Sequence, residues 1–131
     1  MTPGALVLIV EDNPRNLKLV RDVLEHAGYQ TIEAPTAEEG LALASLRQPA
    51  LILMDVELPG MNGVEALDRL RANPATAGIP VAAVTAFAMK ADRKRFLSAG
   101  FDGYLEKPLN VRELPDQVAD LLAGVPTGAH S

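Results

Sequence analysis

The sequence contains no cysteine among its 131 residues, which excludes disulfides, thiolate metal sites and a cysteine nucleophile. It has no apolar run long enough to cross a bilayer, and no charged start followed by an apolar signal core. The net charge of -5 does not give the basic footprint of a general nucleic-acid binder. We therefore expect a cytoplasmic protein with no membrane insertion and no direct nucleic-acid contact.

The overall composition is typical of a soluble globular domain, with 48% hydrophobic and 22% charged residues. A chain of this length fits one domain and is large enough to bury a substantial core. We expect residues 1–124 to form that domain and residues 125–131, which include His130, to form a disordered tail.

The most informative stretch is an apolar run, Leu51 to Met54, which leads directly into Asp55 and a Leu-Pro-Gly turn. A short apolar run without alternation, bounded by turn signals, predicts a strand buried on both faces. Asp55 is then the first residue to leave the sheet at its carboxyl edge, where open α/β sheets bind their ligands. By itself such an aspartate is more often an ordinary strand terminus, so its interpretation depends on the rest of the chain.

Strand-like and helix-like patterns alternate along the whole sequence. The strand-like runs are 5–10, 29–34, 51–55, 79–84 and 104–106, and each is followed by a helical pattern. The run 29–34 alternates weakly, which favours a position near an edge of the sheet. Five such repeats predict an α/β fold: a five-stranded parallel sheet with helices on both faces.

Several residues mark the helix boundaries. Asn13-Pro14 is typical of a helix start, and Gly28 and Gly100 are natural stops. Thr36 and Glu39 have capping-box spacing. Pro115 is discordant if the last helix begins near Asn110, because it would remove a backbone hydrogen bond just beyond the first turn. Either that helix starts later or its first turn is irregular.

Right-handed crossovers place the carboxyl ends of all five predicted strands at one edge of the sheet. That edge collects Glu11, Asp12, Asp55, Thr85 and Lys107. Carboxylates close together repel unless a cation neutralises them, and Mg²⁺ binds carboxylates together with phosphate oxygens and water. With an ammonium and a hydroxyl opposite, the set suits a phosphoryl group attacked by a carboxylate nucleophile.

The chain resembles the receiver domains of bacterial two-component response regulators over about residues 5–123. The resemblance is carried by Glu11-Asp12, Met54-Asp55 with Leu58-Pro59-Gly60-Met61-Asn62-Gly63, Thr85-Ala86 and Tyr104-Leu105-Glu106-Lys107-Pro108. The stretch Thr85 to Met89 is most similar to stand-alone, single-domain cell-division regulators (DivK-like). The resemblance implies a CheY-like, flavodoxin-like (βα)5 fold with strand order 2-1-3-4-5. It also implies a phosphoacceptor signalling protein whose only catalysis is its own phosphorylation and slow dephosphorylation.

The resemblance further implies a role for each residue at the edge. Asp55 would accept a phosphoryl group from a phosphohistidine of a sensor histidine kinase or a histidine phosphotransfer protein. Mg²⁺ would be held by Asp12, Asp55 and the backbone carbonyl of Glu57, with Glu11 acting through water. Lys107 would contact a phosphoryl oxygen. Thr85 would move to bond the phosphoryl group, Tyr104 would rotate inward, and the Lys107–Pro108 peptide bond would be cis.

By the same analogy, the output is a protein contact through the face of helix 4, strand 5 and helix 5. In this chain we expect that face to include Lys90, Arg93, Lys94, Arg95, Phe101 and Tyr104. The basic residues of this set are also what an ordinary solvated helix face would carry. Glu57 and Phe87 occupy positions that border the phosphoryl group in the family, and we expect them to tune its lifetime.

Two other functional classes are compatible with parts of the pattern. A haloacid-dehalogenase-like phosphatase also uses an aspartyl nucleophile and Mg²⁺, but its nucleophile follows the first strand in an Asp-x-Asp pattern, whereas Asp55 follows the third. A phosphorylation-independent interaction module would have no need for the acidic pair, Thr85 and Lys107.

Overall fold

A computed structural model describes residues 4–86 and 89–124 of the chain. Strands and helices alternate in this part, as predicted: β1 Leu6–Val10, α1 Pro14–His26, β2 Gln30–Ala34, α2 Ala37–Arg47, β3 Leu51–Asp55, α3 Gly63–Ala72, β4 Val81–Thr85, α4 Lys90–Ala99, β5 Gly103–Glu106 and α5 Leu114–Leu122. Phe87 and the tail predicted over 125–131 lie outside the described residues. In the part described, no helix is long and apolar enough to cross a membrane.

The strands form one parallel sheet in the order β2-β1-β3-β4-β5, which confirms the predicted fold. β2 is an edge strand, in agreement with its weak alternation. β3 lies at the centre, where Leu53 is paired with Ile9 of β1 on one side and Ala82 of β4 on the other. The chain reverses its direction of winding between β1 and β3, and a crevice for ligands opens at the carboxyl ends of strands at such a switch point.

The core has two apolar clusters, one on each face of the sheet. Successive residues of β3 alternate between them, because side chains of a strand point to opposite faces. Ile52 and Met54 pack in the cluster covered by α2, α3 and α4. Leu51 and Leu53 pack in the cluster covered by α1 and α5. Both faces of β3 are therefore buried, which explains its continuous apolar sequence.

Local sequence signals set where the helices begin and end. The Asn13 side chain accepts from the backbone N–H of Arg15 at 2.9 Å at the start of α1. Thr36 Oγ1 accepts from the N–H of Glu39 at 3.1 Å at the start of α2. Gly28 and Gly100 follow α1 and α4 with positive φ angles of 99° and 110°, a conformation that glycine adopts without a steric penalty.

Two elements begin at residues other than those predicted, and a proline explains each difference. α5 begins at Leu114 rather than near Asn110, and Pro115 lies in its first turn, where the missing N–H is not needed. Asn110 instead closes a preceding turn, accepting from the N–H of Arg112 at 2.9 Å. β4 begins at Val81 rather than Ile79, since the intervening Pro80 has no N–H to donate to the ladder.

Candidate functional site

The predicted acidic residues meet at the carboxyl ends of β1 and β3. Asp55 is the last residue of β3, and Glu11 and Asp12 follow β1 directly. One carboxylate oxygen of each of the three lies within 4.8 Å of the others. Glu11 and Asp55 are buried, whereas Asp12 is exposed. The N–H of Glu11 donates to the carbonyl of Ala34 at 3.0 Å, which fixes the backbone at the rim of the sheet.

Lys107 directly follows β5, and its side chain reaches Asp55 and Glu11 of this group as well as Glu57. Its Nζ lies 2.8 Å from Asp55 Oδ2, 3.8 Å from Glu11 Oε2 and 3.9 Å from Glu57 Oε1. Its backbone N–H donates to the carbonyl of Thr85 at 2.8 Å, and its peptide bond to the next proline is cis. The ammonium group thus lies among three carboxylates, with negative charge in excess.

Burial and close contacts shift the pKa values of Glu11 and Asp55. Burial raises the pKa of Glu11 to about 7, and its hydrogen bond with Asp55 and the charge of Asp55 act in the same direction. Burial also acts to raise the pKa of Asp55. Hydrogen bonds with Glu11, Lys107 and the backbone N–H of Glu57 outweigh it and hold the pKa below its usual range. Asp55 therefore loses its proton at a lower pH than Glu11 does.

Thr85 ends β4 and is completely buried beside the acidic group. Its hydroxyl donates to Glu57 Oε2 at 2.7 Å, and the N–H of Ala86 donates to Glu57 Oε1 at 3.1 Å. The backbone N–H of Glu57 donates in turn to Asp55 Oδ1 at 2.8 Å. Glu57 is thereby connected to both Asp55 and Thr85.

Sequence reasoning missed two contacts of this group. It assigned Glu57 a ligand role through its backbone carbonyl, but the Glu57 side chain contacts Thr85, 28 residues further along the chain. It did not single out Asn16, whose side-chain amide donates to Glu11 Oε1 at 3.1 Å. Asn16 lies in the first turn of α1, where an exposed asparagine carries no distinguishing sequence signal.

Tyr104 and Phe101 lie away from the acidic group, towards α4. Tyr104 is already turned inward, with 8% of its surface exposed, and the Arg93 guanidinium lies 5.4 Å from its ring centre. Phe101 is buried and packs edge-to-face against Phe96, with ring centres 6.1 Å apart. The prediction that Phe101 contributes to an exposed face is therefore wrong, because its ring fills the core below α4.

A groove of about 500 Å³ runs between α4, β5 and α5. Arg93, which the resemblance placed on the face of helix 4, strand 5 and helix 5, lies on its α4 side. Its α5 side carries Glu113, Asp116 and Asp120, which sequence reasoning did not consider. These acidic residues recur at helical spacing, and that spacing was the available signal.

The donor set of the acidic group fits a hard divalent cation. Three carboxylates within 4.8 Å of one another supply the oxygen ligands that Mg²⁺ prefers. A cation there would also stabilise the ionised form of Glu11, whose pKa is raised in its absence. Glu11, Asp12 and Asp55 could therefore hold Mg²⁺.

Comparisons with known proteins agree with this geometry. The family profile described as "Response regulator receiver domain" matches residues 7–119. The polar-differentiation response regulator DivK of Brucella ovis is 43% identical over 116 residues, covering 88% of this chain and 94% of the relative.

Solved structures give the same result. The chemotaxis response regulator CheY4 of Vibrio cholerae superposes with a TM-score of 0.85 at 27% identity, over 90% of this chain and 98% of that one. The receiver domain of a sensor histidine kinase from Pseudomonas aeruginosa PAO1, described with a magnesium ion coordinated in its active-site cleft, gives a TM-score of 0.83 at 32% identity. That superposition covers 92% of this chain and 98% of the Pseudomonas receiver domain. The relative and the structures described above are response regulators or receiver domains, and none of these is a haloacid-dehalogenase-like phosphatase. The chain belongs to the receiver-domain family of two-component response regulators, and it is DivK-like.

Proposed function

We propose that this chain accepts a phosphoryl group on Asp55 from a phosphohistidine and that the modified form changes its binding to a protein partner. The observation that carries the proposal is the buried, ionised Asp55, held by Lys107 at 2.8 Å within an acidic group suited to a divalent cation. The donor would be a sensor histidine kinase or a histidine phosphotransfer protein.

In the transfer step, a carboxylate oxygen of Asp55 forms a bond to phosphorus as the P–N bond to the donor histidine breaks. The departing imidazole nitrogen keeps the electron pair of that bond and takes up a proton from solvent. The N–H of Glu57 holds Asp55 Oδ1 and thereby orients the carboxylate. Lys107, whose pKa is raised by its hydrogen bond with Asp55 against the opposing effect of burial, carries a positive charge beside the incoming oxygens.

A cation would be held by Asp12, Asp55 and the backbone carbonyl of Glu57, with Glu11 acting through water. Mg²⁺ bound there would neutralise charge on the carboxylates and on the phosphoryl oxygens. Two further hydrogen-bond donors lie at the end of β4: the Thr85 hydroxyl and the N–H of Ala86, both of which donate to the Glu57 carboxylate.

The change at Thr85 would be transmitted to the face formed by α4, β5 and α5. Thr85 ends β4 and is paired with Glu106 at the end of β5. Arg93 of α4 lies over the ring of Tyr104 in β5, which links the strand to the helix. A partner that fits the adjoining groove would meet Arg93 on the α4 side and acidic residues on the α5 side.

Intact-protein mass after incubation with acetyl phosphate and Mg²⁺ tests the chemistry, with Asp55→Asn as the control. We expect one phosphoryl adduct that requires both Mg²⁺ and Asp55. A panel of phosphorylated histidine kinases serves as the second donor, since some receivers do not use small donors. Failure with both kinds of donor would reject the proposal, and partner binding indifferent to Mg²⁺ and Asp55→Asn would favour the interaction-module alternative.

A further inference from the structure

The carboxylate of Glu57 occupies the hydrogen-bond donors at the end of β4. Its two oxygens are used separately: Oε2 accepts from the Thr85 hydroxyl at 2.7 Å and Oε1 from the N–H of Ala86 at 3.1 Å. Oε1 also lies 3.9 Å from Lys107 Nζ. An anion-binding position made of a hydroxyl, a backbone N–H and an ammonium group is thus filled by a side chain of the protein itself.

An anionic group attached to Asp55 would need the same donors. A phosphoryl group carries about two negative charges and three strong acceptor oxygens. Asp55 Oδ2 lies 2.8 Å from Lys107, and Asp55 Oδ1 is bound by the N–H of Glu57. The oxygens of a group on Asp55 would therefore lie where Lys107, Thr85 and Ala86 converge. The O–H of Thr85 and the N–H of Ala86, while they donate to Glu57, are unavailable to those oxygens.

Charge adds to this conflict. The Glu57 side chain is only 28% exposed, so solvent screens it incompletely. A second anion placed beside it would be repelled, and the repulsion is relieved only if the Glu57 carboxylate leaves its present position.

We propose that Glu57 is an internal competitor of the phosphoryl group. Its carboxylate binds Thr85 and Ala86 in the unmodified protein and must be displaced when Asp55 is modified, which weakens the modified state. This inference rests on the proposed function and deepens it. Glu57 acts here as a positioning residue, because its side chain acts through Thr85 and Ala86.

The test measures binding of beryllofluoride, an anion that mimics a phosphoryl group on a carboxylate and is not turned over. Its affinity is measured by ¹⁹F NMR or calorimetry at saturating Mg²⁺, so any effect of Glu57 on hydrolysis does not enter. We expect Glu57→Ala to bind about tenfold more tightly than the wild type, because hydrogen bonds to a charged group no longer have to be broken. Glu57→Gln, which keeps the length of the side chain but not its charge, should lie between the two.

Glu106→Gln is the matched control, since it removes one negative charge from an exposed residue next to Lys107. We expect its affinity to equal that of the wild type. The ¹⁵N–¹H signal of Ala86 provides a second readout: it should shift in Glu57→Ala without the anion, and beryllofluoride should shift it in both proteins. A merely structural role of Glu57 would lower the stability of the variant without tightening anion binding.

The outcomes separate the two proposals. Equal affinity of the wild type, Glu57→Ala and Glu57→Gln would overturn the competition while leaving the proposed function intact. The same gain in Glu106→Gln would also overturn it, since net charge alone would then explain the effect. Absence of Asp55-dependent binding in every variant would reject the phosphoryl site itself, and the competition with it.

Discussion

Two ion pairs at opposite ends of the sheet contain the same kind of contact. Lys107 Nζ lies 2.8 Å from Asp55 at the carboxyl end, and Arg71 Nη2 lies 2.8 Å from Asp102 at the amino end. Their surroundings differ. Lys107 lies among surplus carboxylates, whereas Asp102 also accepts from the backbone N–H of Val81 at 2.8 Å.

The guanidinium of Arg71 is used almost entirely by the backbone. It donates to the carbonyls of Ala77 at 3.0 Å, Ile79 at 2.7 Å and Gly100 at 3.2 Å. A planar group with five donors can bind several acceptors at once, so it joins the loops before β4 and β5. In the Arg71 network both terminal nitrogens have acceptors, and the network holds the loops together. Around Lys107 negative charge is in excess, and a bound cation would neutralise it. Surplus charge, rather than the ion pair itself, distinguishes the candidate site.

The largest effect should come from Lys107→Met, which keeps the length of the side chain and removes its charge. We expect the rate of Asp55 phosphorylation by acetyl phosphate and Mg²⁺ to fall by at least about a hundredfold, since a donor to the transferred group is lost. Arg71→Met is the counterpart at the other end and should phosphorylate at nearly the wild-type rate. Similar rates for Lys107→Met and the wild type would contradict the distinction.

Arg71→Met should instead reduce the free energy of unfolding by about 2 kcal/mol, because three carbonyls and Asp102 lose a donor. Urea denaturation measures this change. The exposed Arg69 on the same helix provides the control, and Arg69→Met should change stability by less than about 0.5 kcal/mol. Equal losses in the two variants would show that the network does not stabilise the loops.

Gly63→Ala should displace the backbone that follows β3, next to Asp55. A Cβ at Gly63 would lie 2.7 Å from Val56 Cα and 3.1 Å from the carbonyl oxygen of Asp55, so the backbone after β3 must shift. We expect a stability loss of about 1–3 kcal/mol together with slower phosphorylation. Gly78→Ala is the matched control, because its Cβ would meet nothing within 4 Å. If Gly63→Ala lost no more stability than Gly78→Ala, the packing argument would fail.

The smallest effect concerns pH in the metal-free protein. The pKa of Glu11 is raised from 4.5 to about 7 in the folded state. Its contribution to stability is therefore fully present below pH 4.5 and is lost as the pH rises through 7. In EDTA, we expect the free energy of unfolding to fall between pH 5 and pH 8 by about 1 kcal/mol or more relative to Glu11→Gln.

Adding Mg²⁺ at pH 8 should restore that stability, because a bound cation stabilises the ionised carboxylates. Identical pH profiles of the two proteins in EDTA would show that Glu11 titrates as an ordinary exposed glutamate.

Much of the fold could be predicted because its signals are local. Every residue of β3 and β4 is buried, so each strand reads as one apolar run without knowledge of its neighbours. Gly28 and Gly100 end helices through their own backbone conformation. Pro115 was ambiguous because a proline fits the first turn of a helix and breaks later turns, and only the position of Leu114 decides which applies.

The chain by itself determined which chemical groups reach the carboxyl edge of the sheet, since parallel strands with right-handed crossovers bring their ends together. Tertiary structure alone decided how those groups pair. The contact of Glu57 with Thr85 spans 28 residues, that of Arg71 with Asp102 spans 31, and the burial of Phe101 depends on α4 packing above it. Hydrogen bonds and burial depend on distances in space, and residues far apart in the chain acquire these only when the whole sheet has formed.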